Sequence, residues 1–198
     1  MSLLIAMSLF SLSMSITPGP VNVLTLSAGV NHGLTSSMPF VIGASLGFTV
    51  LLIFVGLGVS PFVDEASRAL HWMSVFGCCF IGYLGYKVFV SVPELEVNEG
   101  FKPTFLQGAI LQWLNPKAWL ACLSGVSAFN VAGSYSTLTI FAGVYFVICF
   151  CSISCWAFAG SKIRDKASTT PFLVWLNRCM GLGLMLVALY LVLLAFLS

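Results

Sequence analysis

Two short stretches carry the residue types that chemistry inside a membrane would need. Thr17-Pro18-Gly19-Pro20, followed about one turn on by Asn22, sits in a segment with no charged side chain from Met1 to Phe62, and Asn115-Pro116-Lys117 interrupts a second apolar segment. Each proline removes an N–H donor and clashes with the preceding turn, while glycine tolerates the angles of a break, so neither stretch continues a regular helix. In hydrocarbon, freed backbone groups cost several kcal/mol each unless protein, water or a ligand satisfies them, so a broken span faces a cavity. The two breaks are candidate halves of one binding site.

At the second break Asn115 suits an N-cap, Pro116 suits the first helical position, and the next amides open a helical segment with free N–H groups. The helix dipole places roughly half a positive charge there and Lys117 adds a whole one, so a substrate carboxylate is the economical ligand. Thr17 with Pro18 can start the second half of the first broken span in the same way, and Asn22 offers both a donor and an acceptor. The candidate substrate-binding residues are Thr17, Pro18, Gly19, Pro20, Asn22, Asn115, Pro116 and Lys117. The plainer alternatives are prolines that only kink their helices and a Lys117 that snorkels to an interface. Breaks at matched depths in two spans favour the shared site.

The elements that hold these stretches follow from composition. The chain has 198 residues, 59% hydrophobic and 7% charged, with a mean hydropathy of +1.04. No water-soluble fold hides that much apolar surface, so the expectation is an all-α polytopic membrane protein whose solvent is the lipid bilayer. A span needs about 20 apolar residues, and the charge clusters leave room for about six. Little chain remains for a soluble domain, and the net charge of +2 gives no footing for a nucleic-acid partner. The first span lacks a basic n-region and a convincing cleavage site, so it is expected to be retained rather than removed as a signal peptide. All seven cysteines (Cys78, Cys79, Cys122, Cys149, Cys151, Cys155 and Cys179) fall in apolar segments without the spacing of a disulfide framework, and read as small hydrophobes.

Span one is expected over about Leu3 to Leu26, a turn at Asn31-His32-Gly33, and span two over about Met38 to Val59. Gly43 and Gly47 there allow close helix contact, within the bundle or, less simply, between two copies as a homodimer. Asp64, Glu65 and Arg68 mark a loop before span three, about Ala69 to Val92, where Lys87 snorkels. A linker, Pro93 to Thr104, holds Glu94, Glu96, Glu99 and Lys102. Span four, about Phe105 to Val126, contains the second break. Span five covers about Leu138 to Ala159, a basic cluster with Lys162, Arg164, Asp165 and Lys166 follows, and span six covers about Phe172 to Phe196, with Arg178 near its start.

The linker divides one membrane domain into two three-helix repeats, residues 1–92 and 105–198. Three is odd, so the second repeat enters the membrane from the opposite side: six transmembrane helices as a 3+3 inverted repeat, with helices 1 and 4 broken. Lys87, Lys102, Lys162, Arg164 and Lys166 fall after odd-numbered spans and Arg68 on the other side, which predicts cytoplasmic odd loops and two periplasmic termini. No Asp or Glu falls inside a span as drawn, so a cargo with an extra positive charge would lack its anionic partner. A neutral zwitterion fits, with its carboxylate at Lys117 and its amino group on unwound carbonyls.

At these residues the chain resembles the LysE/RhtB family of bacterial amino-acid exporters over essentially its full length. Thr17-Pro18-Gly19-Pro20 with Asn22 and then His32-Gly33 is the specific motif, and Asn115-Pro116-Lys117-Ala118 is similar to the family's second signature. Cys155-Trp156-Ala157 with Ala159-Gly160 resembles the branch that exports cysteine and O-acetylserine. Val21 departs from the family's common Asn after Pro-Gly-Pro, which puts the substrate preference in question. The resemblance implies secondary-active efflux of amino acids across the inner membrane, coupled to protons, with no cofactor.

Two other classes stand beside the exporter. An intramembrane thiol-redox carrier needs a cysteine beside each break, yet only Cys122 is near one and span one has none. An accessory membrane subunit would use the prolines only to shape a packing surface. An enzyme is disfavoured, because no metal-ligand set and no nucleophile and base pair lie at span depth.

Overall fold

The backbone is interrupted where the prolines require it. The computed structural model describes residues 3–57, 63–90, 103–131, 134–166 and 170–197. Helix α1 (Leu3–Ile16) stops before Thr17, and α2 (Pro20–Gly56) begins on the second proline. After α3 (Val63–Val90), α4 (Phe105–Trp113) stops short of Asn115, and α5 (Pro116–Ala128) starts on Pro116. Helices α6 (Tyr135–Lys166) and α7 (Thr170–Leu197) complete the chain, and no strand occurs among the described residues.

The α2 helix has 37 residues, roughly 55 Å if straight, against a bilayer core of about 30 Å. It is not straight, because Gly33 has φ 78° and ψ 175° inside it. A side chain at that φ would be strained, so glycine is the residue that fits the turn. Val21 and Phe48 line the same cavity, although a straight helix would hold them roughly 40 Å apart. The chain therefore doubles back at Gly33, the turn expected at Asn31-His32-Gly33, and α2 is two antiparallel limbs.

Small residues bring the helices together. Gly43 and Gly47, on the second limb of α2, face the backbone of Phe105 and Ala109 in α4 so closely that a Cβ would overlap it. The close contact expected of this pair is thus made inside the chain. Gly29, on the first limb, meets Ala157 and Ser161 of α6 in the same manner, and Gly85 of α3 meets Gly181 of α7. The buried core runs through these contacts, with Phe40, Leu51, Leu52, Ile81, Leu84, Leu111, Phe141 and Ile153 among its members.

Several boundaries differ from those read in the sequence. Lys162, Arg164, Asp165 and Lys166 belong to the last turns of α6 rather than to a loop, where cations complement the negative end of the helix dipole. Asp64, Glu65 and Arg68 lie in the first turns of α3 rather than in a loop. Lys87 sits in the last turn of α3 and reaches over the Tyr83 ring at 5.7 Å, as a snorkelling lysine does. Arg178 is exposed on α7. The linker residues Glu94, Glu96, Glu99 and Lys102, the ends of spans two and three, and Ser198 fall outside the described residues.

Candidate functional site

Side chains satisfy three of the carbonyls that α1 leaves open at its C-terminal end. Thr17 Oγ1 donates to Ser13 O at 2.9 Å and to Met14 O at 3.3 Å. Asn22 Nδ2 donates to Ser15 O at 2.9 Å and to Thr17 O at 2.8 Å. An asparagine one turn into the next helix therefore closes the break behind it, and it is buried for that role. The start of α2 differs from the expected one: Pro20 takes the first helical position, Gly19 is the N-cap, and no side chain caps it. Thr17 faces back into α1 instead.

The second break follows its sequence closely. Asn115 Oδ1 accepts from Lys117 N at 3.1 Å as the N-cap of α5, and Pro116 occupies the first turn. On the other side, Trp119 Nε1 donates to Trp113 O at 2.7 Å, which satisfies a carbonyl at the end of α4. Farther out, a capping box between Thr104 and Gln107 starts α4.

Lys117 joins the two breaks. Its Nζ donates to Thr17 O at 2.7 Å and to Thr17 Oγ1 at 2.8 Å, across 100 residues of sequence. Gly19 leaves the room for it, since a Cβ there would stand 3.3 Å from both Lys117 Cδ and Nζ. The described carboxylate side chain, Asp165, pairs instead with Lys162 at 3.4 Å on the surface. The half-buried cation at the meeting of the helices is thus solvated by backbone and hydroxyl oxygens, with no carboxylate beside it among the described residues.

Two cavities flank this bridge, and Met14, Gly19, Asn115 and Lys117 line both. The smaller, about 40 Å³ measured as the space open to a water centre, is also bounded by Ser15, Val21, Asn22, Phe48, Gln112, Tyr145 and Cys149. Phe48 and Tyr145 stack there with ring centroids 4.2 Å apart. The larger, about 700 Å³ on the same measure, lies against α7 and is walled by Pro18, Pro20, Val23, Pro116, Leu120, Met180 and Leu184. The eight candidate substrate-binding residues stand at this junction: Asn22 at the small cavity, the three prolines at the large one, Gly19, Asn115 and Lys117 at both, and Thr17 under the Lys117 ammonium.

Sequence reading missed Ser15, Gln112, Phe48, Tyr145 and Cys149. Gln112, a buried amide three residues before Asn115, and Ser15, two before Thr17, carried a usable signal as polar groups next to a break in apolar sequence. Phe48, Tyr145 and Cys149 carried none, being types that fill membrane helices everywhere. Val21, the departure from the resembling family's pattern, proves to line the small cavity.

Residues 12–195 match the family model described as LysE type translocator. The chain is 33% identical over 164 residues to the cysteine/O-acetylserine efflux proteins of Escherichia coli (strain K12) and Shigella sonnei (strain Ss046), covering 80% of this chain and 83% of each relative. No solved structure matches it. The broken-helix motifs fall inside the matched region, and α2 and α6 are long and apolar enough to cross a membrane. Translocators are transporters rather than enzymes, and the chain belongs to the LysE type translocator family.

Proposed function

We propose that the protein is a secondary transporter that exports small neutral amino acids across the bacterial inner membrane, of the cysteine/O-acetylserine kind or, failing that, the homoserine, threonine or leucine kind. The observation that carries this reading is the Lys117 ammonium, held by two oxygens of Thr17 between two broken helices and beside a cavity that Ser15, Asn22, Gln112 and Asn115 help to line. A carboxylate is the acceptor that competes best for that ammonium, because charge-assisted hydrogen bonds are about twice as strong as neutral ones. Substrate arrival then loosens Lys117 from Thr17 and uncouples α1 from α5. The names of the relatives favour the first cargo, and the lack of a carboxylate beside Lys117 among the described residues disfavours lysine and arginine.

The proposed frame is six spans in a 3+3 inverted repeat, cytoplasmic at the turn around Gly33 and periplasmic at both termini. The contact pattern supports it: α1 and the first limb of α2 pack on α6, α4 and α5 pack on α2, and α3 packs on α7. Exchanging the two halves maps this pattern onto itself, as a pseudo-two-fold axis requires. Protons are the proposed coupling ion.

The test is reconstitution of the purified protein into vesicles with each amino acid in turn. Substrate-dependent flux of neutral amino acids is the expected result. Equal or faster transport of lysine overturns the neutral-cargo reading, and a complete lack of flux favours an accessory subunit.

A further inference from the structure

We propose that the small cavity beside Lys117 is a side-chain subsite, in which Ser15 Oγ reads a hydroxyl or thiol on the side chain of the transported amino acid. This rests on the export reading above and names the group by which cargo is chosen.

A hydroxyl in an apolar helix has a default partner, the carbonyl one turn back. Its neighbours in α1 take it: Ser11 Oγ donates to Met7 O at 2.7 Å and Ser13 Oγ to Leu9 O at 2.8 Å, while Thr17 Oγ1, just past the helix end, donates to Ser13 O. Ser15 does not. It is only 8% exposed, and its Oγ has no hydrogen-bond partner among the described residues. Tyr145 and Cys149 stand within interaction range without a bond of ordinary geometry. The other buried orphans, Ser154 Oγ and Trp156 Nε1, do not line the cavity. An unmade bond to a buried polar group is costly, so an orphan in a cavity wall marks where a ligand group completes the set.

The cavity fixes the rest of the ligand. Lys117 lines it as well, so a carboxylate at that ammonium leaves the side chain beside Ser15. The open volume of about 40 Å³ holds on the order of three waters, and therefore a short side chain. Tyr145, stacked on Phe48, limits its length. The class is a neutral amino acid with a short side chain ending in a hydroxyl or thiol. A site built to bond such a group rejects the isostere that lacks it.

The experiment compares L-serine with L-2-aminobutyrate, where methyl replaces hydroxyl, in initial-rate counterflow by the full chain in proteoliposomes, with L-cysteine as a third cargo. The unaltered protein is expected to favour serine about tenfold, the fold-change of one net hydrogen bond. Ser15→Ala should bring the ratio close to one, and Ser15→Thr, which keeps the hydroxyl, should restore most of it. The melting temperature of Ser15→Ala should hold or rise, because a hydroxyl without a partner is removed. A lower melting temperature shows that Ser15 is bonded within the fold and overturns the proposal. So does an unchanged ratio in Ser15→Ala with flux intact, which leaves the export reading standing. Absence of flux for all three cargoes in the unaltered protein overturns the export reading and the subsite with it.

Discussion

The ammonium of Lys117 and the backbone oxygen of Thr17 stand 2.7 Å apart, which ties the N-terminal end of α5 to the C-terminal end of α1. Two of its three donors are spent on Thr17, one on the carbonyl and one on Oγ1. Replacing Lys117 with Met keeps most of the volume and removes the charge. The protein should still insert, because a mid-membrane charge is a cost, and Thr17 O keeps its bond from Asn22. Substrate binding should weaken by about 1.5 to 3 kcal/mol, the scale of a hydrogen bond to a charged group. Expression level and vesicle uptake, measured together, check this, and normal transport would leave Lys117 with no part in the site.

Pro116→Ala acts on the backbone instead. The regained N–H has Gln112 O within its helical reach, a carbonyl that now accepts from Asn115 N at 3.3 Å. The helix should extend through the break and withdraw the free amides of α5 from the junction, so transport should fall while Lys117 stays charged. Because both changes act on one unit, their effects on transport should add to less than the sum. Strict additivity in the double variant would show that the break and the lysine act separately.

Asn31 and Asn177 exchange amide bonds at 3.1 and 2.7 Å, joining the turn of α2 to α7. Asn31 also donates to Ser27 O, at 2.8 Å. Asn177→Leu orphans the Asn31 oxygen and should cost about 1 to 3 kcal/mol of stability. Asn31→Leu with Asn177→Leu should cost less than the two single changes added together. Thermal melting in detergent gives the cycle, and an additive result would show that the pair is not coupled.

Gly33→Ala should be destabilising by about 1 to 3 kcal/mol, because a Cβ at φ 78° is strained and would also stand 3.3 Å from an Arg164 guanidinium nitrogen. Melting temperature checks it, and an unchanged value would mean that the turn relaxes freely.

Reporter fusions decide orientation. Fusions near Glu96 and Arg164 should report cytoplasm, and those near Asp64 and Ser198 periplasm, following the lysine and arginine asymmetry. A cytoplasmic signal after Ser198 contradicts the six-span inverted frame.

Where the helices break and where the chain turns is legible in local residue chemistry. Pro18, Pro20 and Pro116 remove donors, Asn115 caps, and Gly33 accepts a positive φ, all of which depend on a residue and its near neighbours. The helical class followed from composition, since lipid leaves few other ways to satisfy a backbone. Which residues meet is a matter of helix packing. It set the Asn22 amide against the carbonyls of Ser15 and Thr17, carried Lys117 across 100 residues to Thr17, and closed Gln112, Tyr145 and Ser15 around one cavity. Those relations depend on which glycine faces bring helices into contact and at what register, and a one-position change along a helix rotates a side chain by about 100°. No local property of the chain carries that information; the packing of Gly29 on α6 and of Gly43 and Gly47 on α4 does.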